Sequence, residues 1–316
     1  LHECGYDYPY YPGLLIKSAE GVVIENSTIS YNSCGVYCYY SSNIIVSGCN
    51  ISNNEDVGIY CYRSSNITVS GCNISDGGVG IHCRYSSNIT VSGCSISNNR
   101  GVGIYCGDGS SNVTISGCEI SHNGDDGIDC YYSSSIAMSE CNISNNGGDG
   151  VYCLYSSNIT VSGCNIIYNE HGILCCYSSS ITVSECNISH NGWIGIYCLD
   201  SSDIAVHYCN IISNAGHGLH NHGTYVVNAT YNWWGSPDGP EYKREGDPED
   251  PEEVYSYYGP EYLVYEPWLT EPAITDTEPP TLEIVSPQEG AYVRGVAAIS
   301  VHAEDPSGVV RVEFYV

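Results

Sequence analysis

The chain has 316 residues, with 36 acidic against eight basic side chains and a net charge of −28. That balance argues against nucleic acid or an anionic membrane surface as a partner, since both recruit basic clusters. Tyrosine reaches 30 residues and cysteine 19, against one Phe and one Met, and no apolar run is long enough to span a bilayer.

In chain order, ten glycines open the phrase G-[IVL]-x-C or a close variant: Gly13, Gly35, Gly58, Gly80, Gly103, Gly127, Gly150, Gly172, Gly195 and Gly218. Their spacing of 22–24 residues is a repeat period. Within one unit, Ile67 and Val69 alternate with Asn66, Thr68 and Ser70; after Gly71, Cys72 and Ile74 alternate with Asn73 and Ser75. Ile81 and Cys83 then flank His82. Alternation with period two predicts three short strands per unit, each burying one face. Gly, Asn, Asp and Ser between them tolerate tight turns. Three short strands cannot close a core alone, but stacked coils can, so the expected fold is all-β: a parallel β-helix of about ten rungs. At about 4.8 Å per rung it would be a rod roughly 45 Å long.

The phrase Ser-Ser-Asn-Ile-Thr-Val-Ser-Gly-Cys-Asn-Ile-Ser, running from Ser64 to Ser75, resembles the right-handed parallel β-helix repeat of carbohydrate-binding and sugar-hydrolase-type domains. Archaeal cell-surface proteins and periplasmic copper-accessory proteins carry similar repeats. The segment from Asn228 to Pro237, with Trp233 and Trp234, resembles the tryptophan-rich closure after such helices. The stretch from Pro280 to Val316 resembles the first part of a bacterial Ig-like β-sandwich. The expected organisation is therefore a β-helix over 1–232, a Trp-rich cap with an acidic Pro-rich linker or wrap over 233–279, and a partial Ig-like domain over 280–316. Both ends read as cut from a longer exported, extracellular or cell-surface protein, or as a half sandwich completed by another chain.

Sixteen cysteines form two inward columns, Cys38 to Cys198 and Cys49 to Cys209, where a free thiol serves as a small hydrophobe. No Cys-x-x-Cys pair occurs to suggest a zinc ribbon. Cys4, Cys34 and Cys176 fall off these columns and are candidates for cross-links between chains. Asn-x-Ser/Thr sequons recur with the repeat; Asn66, Asn88, Asn112 and Asn158 are outward glycosylation candidates.

Function would have to sit on the outward columns. Tyr37, Tyr60, Tyr105, Tyr152 and Tyr197 share one such column and suit lateral packing against another rod or stacking against a sugar. Tyr40, Tyr85, Tyr132, Tyr155 and Tyr177 follow in the next turn. The column before each glycine places Asp126, Asp149 and His171 on successive rungs, with Asp125 and Asp129 nearby. Such a stack fits calcium, with Asp125, Asp126, Asp129 and Asp149 as ligands, or the paired carboxylates of glycoside hydrolysis. His217, His220 and His222 form a second candidate metal group, for copper or zinc. No cofactor is required by the pattern.

Regular rungs without a break favour an exported structural or adhesive rod that packs with copies of itself or with other surface proteins. The alternative is a carbohydrate-binding or glycan-cleaving β-helix using Asp126, Asp149 and His171.

Overall fold

The computed structural model describes residues 11–243, 253–273, 281–286 and 300–304. Two units divide the chain, Leu1–Ala273 and Ile274–Val316. The first is a parallel β-helix with nine complete three-stranded rungs and a tenth that is partial.

Each phrase of the repeat becomes one strand of one sheet. Strands of the Gly-Ile-x-Cys type, such as Val79–Arg84 and Ile128–Tyr131, stack into a 12-stranded sheet. Strands of the Asn-Ile-Thr-Val type, such as Ser65–Ser70, stack into 11, and the short Asn-Ile-Ser strands, such as Asn73–Ser75, into nine. Rungs pair in parallel and in register, so Ile81 faces Ile104, Cys83 faces Cys106 and Ile96 faces Ile120. Apolar side chains therefore meet across the rungs, often like on like, and the interior is a continuous core made mainly of Ile, Val and Cys.

Polar ladders hold the three corners. Asn99, Asn123, Asn146 and Asn169 are buried; each Oδ1 accepts a backbone N–H of the preceding rung, and Asn123 Nδ2 donates to the Ile96 carbonyl at 3.1 Å. At the second corner Ser64, Ser86, Ser133 and Ser156 are buried in the same manner, with Ser156 Oγ donating to the Cys130 carbonyl at 2.9 Å. Cysteine fills the third, where Cys72 Sγ points to the carbonyls of Ser70 and Val46 at 3.4 and 3.5 Å. Buried turn backbone is thus paired rather than orphaned. All 18 described cysteines are buried free thiols.

Close stacking explains the leading glycine. A Cβ on Gly103 would stand 2.6 Å from the Gly127 carbonyl oxygen and 2.8 Å from Ile120 Cγ2. No side chain fits between rungs at that point.

After residue 232 the chain continues the same sheets. Glu253–Ser256 pairs in parallel with Leu219–His222, and Leu263–Val264 with Val227–Asn228. Trp234 is fully buried in the core at this end. In the second unit, Thr281–Ser286 pairs antiparallel with Ser300–Glu304. Among the described residues no helix is long and apolar enough to cross a membrane.

Candidate functional site

The outward residues of the Gly-Ile-x-Cys sheet form one register line: Tyr37, Tyr60, His82, Tyr105, Asp129, Tyr152, Leu174, Tyr197, His220 and Tyr255. Alternation predicts these to be solvent-facing, but Tyr37 is 1% exposed and Tyr60 is buried. Tyr105, Tyr152 and Tyr197 are half-buried. The cause is the column just before each glycine, whose side chains fold over the strand they precede. Cys34 thus packs with Tyr37 and Tyr60 in a small cluster outside the main core.

That placement corrects two readings of the sequence. Cys34 is fully buried, and burial pushes its thiol far above the usual range. Cys176 is 7% exposed, and burial, reinforced by Asp149, pushes its thiol up to about 11. Neither is placed to cross-link chains, because the reactive form is an accessible thiolate. Cys4 lies outside the described residues.

The same turn geometry assembles the acidic group. Asp126 is 9% exposed, and Asp149 and His171 are buried with it on successive rungs. Asp126 Oδ1 accepts the Asp149 backbone N–H at 2.7 Å. Asp149 Oδ1 in turn accepts the His171 N–H at 3.1 Å and lies 2.7 Å from His171 Nδ1. Burial, then the charge of Asp149, raises the Asp126 carboxyl to about 7. Asp129 sits on the neighbouring strand face; burial, then Asp126, raises it to about 8. Asp129 Oδ1 and His171 Nε2 are buried without a hydrogen-bond partner among the described residues. Asp125 lies at the exposed rim.

His171 also packs against Trp193, with centroids 5.1 Å apart, and Tyr197, at 5.8 Å. Alternation and spacing do not single out Trp193, although it interrupts a column made mainly of Ser, Gly, Asp and Glu. Beyond it, burial lowers His220 to about 3, and neighbouring His217 and His222 add to the shift.

Metal geometry is not what these groups form. Among the described residues, no three His, Cys, Asp or Glu side chains are placed to hold an ion. His220 stacks on His222 at 5.8 Å and 16°, and His217 meets His220 edge-on at 5.7 Å, so the rings pack rather than converge their nitrogens. For Asp125, Asp126, Asp129 and Asp149 the reason differs: Asp126 and Asp149 each accept the next rung's N–H.

The second tyrosine column lies in the open, and Tyr132, Tyr155 and Tyr177 stack face to face at 4.8 and 5.3 Å. Asn66, Asn88 and Asn112 are exposed and form a ladder, Asn88 Nδ2 donating to Asn66 Oδ1 at 3.0 Å. Asn158 is exposed in the corresponding turn.

The family described as a right-handed beta helix region matches residues 3–117 and 79–232. The chain belongs to that family. Residues 280–316 match the family described as a bacterial Ig domain. No curated protein matches the sequence. Among solved structures, the periplasmic alginate epimerase AlgG is similar, with TM-score 0.60, 17% identity and coverage of 78% of this chain and 61% of its own. The Azotobacter vinelandii mannuronan C-5 epimerase AlgE6 A-module is similar at TM-score 0.56 and 15% identity, covering 78% and 65%. The enzymatically active domain of bacteriophage CBA120 tailspike protein 2 gives TM-score 0.54 and 14% identity, covering 66% and 38%. The chain therefore spans less than two thirds of the length of these structures, and identities this low establish shared fold alone.

Proposed function

We propose that this β-helix is an exported glycan-active protein that binds a glycan on the Asp126–Asp129–Asp149–His171 face and cleaves it by acid–base chemistry. The observation that carries the reading is Asp129, whose Oδ1 is buried without a hydrogen-bond partner among the described residues, with burial and then Asp126 raising the carboxyl to about 8. A carboxylic acid of this kind can protonate a leaving glycosidic oxygen. Asp149 against His171 Nδ1 leaves Nε2 as the ring nitrogen available to take a proton, for instance from an attacking water. The balance is then complete: water supplies hydroxyl to the anomeric carbon, its proton goes to His171, and the Asp129 proton goes to the departing oxygen. The alginate and mannuronan epimerase activities named for two of the similar β-helices support a glycan as ligand, and a periplasmic or tailspike setting supports export.

The assembly reading has lost part of its support. Tyr37 and Tyr60 are covered, and Cys34 and Cys176 are buried.

The test is a screen of the purified chain for cleavage of neutral, amino and acidic polysaccharides, followed by variants on the substrate found. Asp129→Asn and His171→Gln should each lower kcat by about 100-fold or more with the fold retained. Wild-type rates in both folded variants would remove this assignment.

A further inference from the structure

Of the four tryptophans, Trp193 is the exposed one, at 45%. Its backbone N–H donates to the Glu170 carbonyl at 2.8 Å and its carbonyl accepts the Gly216 N–H at 2.7 Å, so it extends the turn column Asp125, Gly148, Glu170. This column runs beside Asp126, Asp149 and His171. Gly216 leaves room for the indole, since a Cβ there would stand 2.8 Å from Trp193 Cδ1 and 3.3 Å from Nε1. Against the indole, with centroids 5.1 Å apart and ring planes 31° from parallel, is His171, 5% exposed, with an Nε2 that no described protein group satisfies. An exposed aromatic beside that nitrogen gives a sugar an apolar ring face to lie on next to the group that takes the proton of the attacking water. The exposed tyrosines that follow the Gly-Ile-x-Cys strands through the middle of the stack do not offer this. In the Tyr132–Tyr155–Tyr177 stack the rings cover one another's faces, leaving edges and hydroxyls outward.

Charge narrows the ligand. No Lys or Arg occurs between Arg100 and Lys243, the stretch that contains the whole acidic face. Arg84, on an earlier rung, is held by Asp108 at 2.6 Å. Asp125 and Glu170, both exposed, stand in Trp193's own column. Arg100, one rung before Asp125, donates through Nη2 to the Glu55 carbonyl two rungs back, so a polyuronate would meet carboxylates here with no cation aimed at it, under a net charge of −28.

We propose that Trp193 seats a pyranose ring of a non-acidic glycan against His171. The inference rests on the glycan reading above and names its substrate class. It is tested by calorimetric titration of the full chain with chitohexaose and xylohexaose, and with hexamers of alginate and galacturonate. A non-acidic hexamer should bind more tightly than either acidic one. Trp193→Ala should weaken that binding by about tenfold or more, and Trp193→Phe by much less. Melting curves of both variants separate lost binding from lost fold, and the Phe variant keeps the test informative if the Ala variant unfolds. Tighter binding of an acidic hexamer overturns the substrate class while leaving the glycan reading standing. Unchanged affinity in folded Trp193→Ala overturns the seat. Absence of both binding and cleavage for all four hexamers removes the inference together with the glycan reading.

Discussion

At the scale of single residues, the acidic face couples stability to pH. Asp129 is raised to about 8 and Asp126 to about 7, from an ordinary aspartate value of 3.8. A raised native value means the folded chain holds protons that the unfolded chain has released, so between about pH 4 and pH 8 stability falls as pH rises. The contribution is present below the unfolded value and lost through the folded one. Asparagine mimics the neutral acid, so Asp129→Asn should stabilise the fold, and more at pH 8 than at pH 5. The difference grows by about 1.4 kcal/mol for each pH unit of that window. Thermal melts of variant and wild type at both pH values check this. An Asp129→Asn protein that is more stable yet inactive would separate a chemical role from a structural one. Equal melting shifts at the two pH values would instead place Asp129 in contact with water and ordinary in its titration.

At the scale of the rung, stacking distance is the governing quantity. Gly103→Ala must move either the Gly127 carbonyl or Ile120, both fixed by their own rungs, and should cost about 3 kcal/mol. Thr114→Ala, outward on the next strand of the chain, should change stability by less than about 0.5 kcal/mol. Urea unfolding of the two variants decides the matter; comparable losses would show that rungs spread to admit a methyl. The strands were legible in the sequence because each inward position recurs once per repeat, and register follows once Ile faces Ile. Alternation says which way a side chain leaves its strand, but not how a turn curls. Asp126 and His171 sit in turns and Cys34 at the very start of its strand, so their folding over the sheet was invisible to a period-two reading. Without that cover, Tyr37 and Tyr60 read as a solvent stripe. Trp193 is silent in the sequence for the same reason: its partner His171 lies one rung away, in a column whose inward tilt only the fold reveals.

At the scale of the molecule, a stack of rungs is held mostly by nearest neighbours, so its ends are its weak points. Trp234 closes one end, fully buried in the core with Cζ3 placed 3.2 Å from where a Cβ on Gly218 would lie. Above it, Glu253–Ser256 and Leu263–Val264 supply the last pairing partners for Leu219–His222 and Val227–Asn228. Trp234→Ala should therefore cost about 3–5 kcal/mol, spent unevenly. Amide exchange should quicken in Leu219–His222 and Val227–Asn228 while Ser65–Ser70, many rungs away, keeps its protection. Uniform acceleration along the whole helix would mean that the stack opens as one cooperative body rather than rung by rung. The gradient matters for the acidic face, because His220 pairs with Tyr197 in the rung that carries His171's aromatic neighbours. Loosening this end should thus weaken glycan binding before Asp129, deeper in the stack, loses its shielded proton.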